Sequence, residues 1–297
     1  MVMLRKIYLR KAIRKPLGDK VLLGFIYFFL VFFALLIIIP LLNLIAFAFS
    51  NEYSNAYVTF IPRDFTFKYF HYVLMENETF ASSLGNSVLM TVVITVTSNV
   101  FMAMAAYPLS KEDLPFRKVV LTFFVITMLF GAGIIPTLYM LTTLGVNGTI
   151  WGVILLSINN IFNMLLYKSF FENLPKETIE AAQVDGVSNI QLFFRIVVPM
   201  SLPVFASCAF FTIVGTWNAY SAAIMFIGYS KDTQWPLAYF IYNLLQTKPT
   251  DPTAAINDNN LINISSAAII ISVIPILVIY PFVIRYIKSG ITLGSEK

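Results

Sequence analysis

The chain is predicted to be all-α and polytopic, crossing a membrane six times with both termini in the cytoplasm. Three observations carry that reading. Of the 297 residues, 58% are hydrophobic and only 12% are charged, whereas about 25% are charged in an average soluble domain. Six apolar runs of about 19 residues or more are each long enough to cross the roughly 30 Å of a bilayer's hydrocarbon. The Lys and Arg residues also segregate. Seven precede the first run, three (Lys111, Arg117, Lys118) lie between the second and third, three (Lys168, Lys176, Arg195) between the fourth and fifth, and three (Arg285, Lys288, Lys297) close the chain. The opposite loops hold four, Arg63, Lys68, Lys231 and Lys248. Basic residues collect on the cytoplasmic side, so this split places the N-terminus inside. It also accounts for the net charge of +5 without any affinity for nucleic acid.

The elements follow in order. Met1–Lys20 is basic with one acid, Asp19, and reads either as an interfacial helix on the inner membrane surface or as a solvated tail. Val21–Phe49 carries no charge. It far exceeds the roughly 7–15-residue core of a signal peptide, so it reads as an uncleaved first span although Ala46-Phe47-Ala48 mimics a cleavage site. Ser50–Ser83 is a polar, aromatic outer loop in which Phe60-Ile61-Pro62, Phe65-Thr66 and Tyr69-Phe70 look like packing anchors. Leu84–Pro108 is the second span, and Ser110–Lys118 a short charged loop. Val119–Leu141 is the third span, interrupted by Gly131, Gly133 and Pro136, which predict a kink or an unwound turn. Thr149–Tyr167 is the fourth, with Asn159, Asn160 and Asn163 at its centre. Leu202–Gly228 is the fifth and contains Trp217-Asn218-Ala219-Tyr220. Tyr229–Asn260 is a second long polar loop, and Leu261–Tyr286, with Pro275 and Pro281, is the sixth span. The single cysteine, Cys208, permits no internal disulfide and reads as packing. The single histidine, His71, has no partner ligand nearby, so no metal site is expected.

Between the fourth and fifth spans lies the longest stretch that looks like a soluble surface, Glu180–Pro203, reading EAAQVDGVSNIQLFFRIVVPMSLP. It predicts two short helices and a sharp turn. Pro175 suits the first turn of a helix, which then continues over Lys176–Asp185. Gly186 is a natural stop because glycine takes the left-handed conformation freely. Ser188 with Gln191 forms a capping box that starts the second helix. Ile190, Phe193, Phe194 and Val197 recur at i, i+3, i+4 and i+7 and predict its apolar face. Pro199 ends it, and Pro203 opens the fifth span.

This stretch resembles the EAA loop of binding-protein-dependent ABC importer permeases, through Glu180, Ala181, Ala182, Gly186, Ile196 and Pro199 at the family spacing, with Asp185 and Pro203 common in sugar permeases. Val187 stands where the family often has Ala, a mild departure. Ala106-Tyr107-Pro108-Leu109-Ser110, Gly131–Pro136, Leu174-Pro175 and Trp217-Asn218 are similar to the carbohydrate branch of type I importers, and within it to permeases for oligosaccharides or polysaccharide fragments. The resemblance implies a permease domain over residues 21–289, with a cytoplasmic coupling loop at about 172–201 and a tail at 290–297. It implies that Glu180, Ala181, Ala182, Asp185 and Gly186 dock on a cytoplasmic ATPase. It further implies a second, different permease subunit, two ATPase subunits carrying ATP and Mg, an extracytoplasmic substrate-binding protein, and residence in the bacterial plasma membrane. No cofactor is expected in this chain.

The composition of the spans bears on mechanism. Their interiors hold no Asp, Glu, Lys, Arg or His, and proton-coupled carriers normally relay through such groups. A sodium-coupled carrier, which can use carbonyls and hydroxyls, stays open as an alternative, as does a permease for a non-sugar polar solute. A membrane-embedded transferase would need acids near the membrane face, and Asp64 and Asp232 form no spaced pair. The chain has no G-x-x-x-x-G-K-[ST], so it holds no phosphate loop of its own. Asn163, Trp217, Asn218 and Tyr220 are the candidate pathway residues, because amides and aromatic faces suit an uncharged sugar. Packing between spans would explain the same residues equally well.

Overall fold

The computed structural model describes residues 17–51, 59–228, 232–246 and 255–293, and among them the regular structure is helical. The basic stretch up to residue 16, part of each outer loop and the last residues of the tail lie outside the described residues.

Helix α1 (Leu17–Ala48) is apolar on every face. Its first three-quarters touch almost nothing, with Phe25 61% and Ile37 63% exposed, as expected for a helix solvated by lipid. Only its end is held: Asn263 Nδ2 donates to the carbonyls of Phe47 (2.8 Å) and Ser50 (2.7 Å). Two of the carbonyls at the α1 terminus thereby gain the donor that helix ends lack. A short helix α2 (Lys68–His71) runs into a π turn over Tyr72–Glu76, and Asn77 then caps α3 (Glu78–Leu109) through Phe80 N at 2.8 Å. Of the expected loop anchors, Tyr69 is buried, Phe65 stacks on Phe49 with centroids 5.2 Å apart, and Phe60 and Ile61 are exposed.

The third predicted span is two helices, α4 (Arg117–Leu129) and α5 (Ile134–Thr143), bent by 104° at the glycines. Gly133, with φ +84, begins α5 in a conformation that disfavours any Cβ. The fourth is α6 (Ile150–Ser157) and α7 (Ile161–Glu172), separated at Ile158–Asn160, and Asn160 caps α7 through Asn163 N at 3.1 Å. Next come α8 (Lys176–Val184) and α9 (Asn189–Leu192), a π turn over Phe193–Val197, and α10 (Val198–Met200). The fifth span is α11 (Leu202–Trp217), turning 80° away from the preceding segment, with α12 (Ser221–Phe226) beyond a break at Asn218–Tyr220. Among the described residues, four helices are long and apolar enough to cross a membrane, or up to six if each bent pair counts as one span.

The loop after the fifth span departs from the sequence expectation. Part of it is folded onto the spans, through a 3-10 turn at Asp232–Gln234 and α13 (Leu237–Gln246). Leu237, Tyr239 and Phe240 are buried. Leu237 N donates to Ser87 Oγ at 2.7 Å, Asn86 Nδ2 to Thr233 O at 2.9 Å, and Ile150 N to Gln234 Oε1 at 3.1 Å. The apolar stripe of α13 is covered by α3 and by α14 (Ala255–Leu293), the sixth span.

Two buried cores result. One gathers Tyr69, Phe80, Met90, Leu141, Trp217, Trp235 and Tyr239 on the side of the long loops. The other gathers Ala106, Met164, Tyr167, Phe171, Leu174, Phe193, Val197 and Cys208 on the side of the α8–α10 segment. Helices α3, α7, α11 and α14 form the packed centre.

Candidate functional site

Helix α8 stands out from the second core on one turn of packing. Ala182 is its buried residue, while Glu180, Ala181, Asp185 and Gly186 are exposed. Pro175 sits one position earlier than expected, at the N-cap, with Lys176 first in the helix. The turn is held entirely by backbone. Gly186 N donates to Gln183 O at 3.1 Å and Val187 N to Ala182 O at 3.2 Å, the paired bonds of a Schellman stop. Gly186 has φ +75, as that motif demands. Ser188 then restarts the chain: Gln191 N donates to Ser188 Oγ and Ser188 N to Gln191 Oε1, a complete capping box.

The apolar face beyond it differs from the expectation. Leu192, Phe193 and Val197 are buried, whereas Ile190 is 72% and Phe194 52% exposed. The π turn over Phe193–Val197 widens the helix by one residue and shifts the phase of the pattern. Helix continues through Pro199 to Met200 and gives way at Ser201. Phe193 lies against Tyr107 (5.2 Å between centroids) and Phe171 (6.4 Å), so the second helix is rooted in α3 and α7 while α8 protrudes. Val184, Ile190 and Phe194 leave an apolar surface in solvent, beside Glu180, Asp185 and Arg195.

The candidate pathway residues divide into two pairs. Asn163 is fully buried, and its Nδ2 donates to Thr212 Oγ1 (3.0 Å) and Cys208 O (3.3 Å) on α11. Trp217 is buried, with its Nε1–H donating to Ser272 O on α14 at 3.0 Å. That carbonyl adjoins Ile271 O, which Pro275 leaves without its helical donor. Asn218 and Tyr220 lie exposed at the break between α11 and α12. Tyr220 stacks on Tyr242 of α13, 5.1 Å between centroids and 19° between planes. Tyr242 was not among the sequence candidates, since nothing in the local pattern brings α13 back to α12. Asn159 is exposed and Asn160 is a helix cap.

The family described as the binding-protein-dependent transport system inner membrane component matches residues 113–293, which takes in α8, its Schellman turn and the capping box. The chain belongs to that family. As a transport-system membrane component it has relatives that cover nearly its whole length. It is 37% identical to Protein LplC of Bacillus subtilis (strain 168) over 268 residues, 88% of this chain and 89% of the relative. It is 32% identical to the polygalacturonan/rhamnogalacturonan transport system permease protein YtcP of the same organism over 289 residues, 92% and 96% of the two chains. The crystal structure of a bacterial ABC transporter involved in import of the acidic polysaccharide alginate contains a chain with the same fold. That chain superposes with a TM-score of 0.81 at 26% identity, covering 91% of this permease and 98% of its counterpart. The permease is thus a multi-pass membrane subunit of an ABC importer.

Proposed function

We propose that this permease forms half of the translocation pathway of an ATP-driven importer for an oligosaccharide, delivered by an extracytoplasmic binding protein. The exposed helix α8 carries the reading. It presents Glu180, Asp185 and an apolar rim on a turn fixed by Gly186, while the following helix is rooted in the spans. Such an element can be gripped by a soluble subunit and can carry that subunit's motion inward. Two partner ATPase subunits, holding ATP and Mg, would grip it, and a second permease would complete the pathway. Placing the segment in the cytoplasm agrees with the sixteen Lys and Arg residues on the predicted inner side. The carbohydrate cargo is supported by the polysaccharides named for YtcP and for the alginate transporter.

Asn218 and Tyr220 are the pathway candidates with open surface, and Trp217 and Asn163 fix the spans behind them. No fixed cation lies in the span interiors, so this subunit would meet the hydroxyls and C–H faces of a sugar. Any carboxylates on the cargo would be left to the partner or to water. The test is uptake of oligogalacturonides into vesicles holding the assembled transporter, with ATP inside the compartment of the ATPases and no ion gradient. Uptake that needs ATP and the binding protein is expected. Uptake driven by a sodium gradient without ATP would replace this reading with a secondary carrier.

A further inference from the structure

Arg117 is the first residue of α4 and Glu172 the last of α7. Each stands at the wrong end of its own helix, since the N-terminal dipole disfavours a cation and the C-terminal dipole an anion. They lie together: Arg117 Nη2 meets Glu172 Oε1, and Lys168 Nζ reaches the same oxygen at 2.9 Å. All three side chains are largely covered, with relative exposures of 21–29%. Arg117 also donates from Nε to Leu109 O at 2.8 Å, at the last residue of α3. One guanidinium therefore joins the ends of three helices, a task suited to its rigid fork.

The residue before it is held against its preference. Phe116 has φ +57 and is 80% exposed. A bulky residue in the left-handed region persists only where its surroundings over-determine it. The distance along the chain matters too. Only Asn173, Leu174 and Pro175 separate Glu172 from α8, Leu174 is buried, and Pro175 is stiff. An exposed pair, Lys176 with Glu112 at 3.9 Å, adds a looser tie between the start of α8 and the α3–α4 loop.

We propose that Arg117 and Glu172 form a clasp through which displacement of α8 is passed to the adjoining ends of α3 and α4, while Lys168 pairs with Glu172 only within α7. Arg117 and Glu172 are positioning residues. The inference rests on the reading of α8 as the element gripped by the ATPase. Without the clasp, α8 still docks, but its motion is absorbed at Asn173–Pro175 and does not reach α4.

Maleimide labelling of the assembled transporter in vesicles tests this without knowledge of the cargo. Cys208 is fully buried and can stay in place. Val184→Cys, on α8, reports docking by its protection when the ATPase subunits are present. Val119→Cys, in the first turn of α4, reports transmission by a change in labelling rate when ATP and vanadate trap the ATPases. In the otherwise unaltered chain both effects are expected. Glu172→Gln and, independently, Arg117→Gln should abolish the change at Val119→Cys and leave the protection at Val184→Cys. Lys168→Met, which keeps the Arg117–Glu172 pair, should retain both. The proposal is overturned if Val119→Cys never responds to trapped ATP, or if its response survives both Gln variants. It is equally overturned if both Gln variants lose the protection at Val184→Cys, because the pair then only holds the fold. Absence of that protection in the unaltered background would refute the docking reading itself.

Discussion

Gly186 decides whether α8 can end where it does. A Cβ there would meet nothing within 4 Å, so the constraint is conformational rather than one of space. At φ +75 a residue other than glycine costs about 1–2 kcal/mol, least for Asn. Gly186→Val should therefore give an inserted, normally expressed subunit that fails to co-purify with the ATPases and fails to transport, whereas Gly186→Asn should keep most of both. Asn163 makes a different kind of contribution. Losing its bonds to α11 should cost roughly 0.6–2 kcal/mol. Asn163→Ala is thus expected to lower the thermal midpoint of the purified transporter while leaving its preference among oligosaccharides unchanged. The two residues were not equally legible. The left-handed glycine and the Ser188–Gln191 box are local patterns that read directly from sequence. A buried amide and a pathway amide look identical until the partner helix is placed, and only α11, through Cys208 and Thr212, 45 and 49 residues on, shows what Asn163 bonds.

At the scale of elements, the turn between α5 and α6 packs closely against the start of α6. A Cβ on Gly152 would lie 2.7 Å from the carbonyl oxygen of Val146, a backbone atom that cannot rotate away. The same turn is pinned by Gly148 N donating to Phe226 O at 2.8 Å on α12. Gly152→Ala is expected to destabilise by about 1–3 kcal/mol through this overpacking. Limited proteolysis of the purified transporter should show faster cleavage in the 143–150 region. The apolar runs located the spans, because length and charge exclusion are local properties, although the third, fourth and fifth are each broken into two helices and α14 runs past its expected limits at both ends. What escaped were features set at a distance. The π turn at Phe193–Val197 answers to the ring contacts with Tyr107 and Phe171. Helix α13 is amphipathic, but its polar flanks disguised it as loop until Ser87 and Asn86 of α3 supplied partners for the segment.

Across the whole molecule, the two cores separate the work of the long loops from that of the α8–α10 segment, and α3, α7 and α11 run between them. The direction of insertion is checked by single cysteines in a Cys208→Ser background. Positions Ile61 and Leu245 should label from the outer side of intact cells, and Glu112 and Glu177 only after permeabilisation. External labelling at Glu177 would turn the topology over and remove α8 from the reach of any cytoplasmic ATPase. The bend between α4 and α5 has a further consequence. At 13 and 10 residues these helices are about 20 and 15 Å long, so neither crosses the hydrocarbon alone. Gly131, Ala132 and Gly133 between them are exposed in the isolated subunit. Hydrocarbon offers no donor or acceptor to a non-helical backbone. This flank is therefore unsuited to acyl chains, while α1 is suited to little else. A single copy has no one solvent that wets all of it, and this chain expressed and purified alone should yield material that self-associates through the bend or is degraded in the cell.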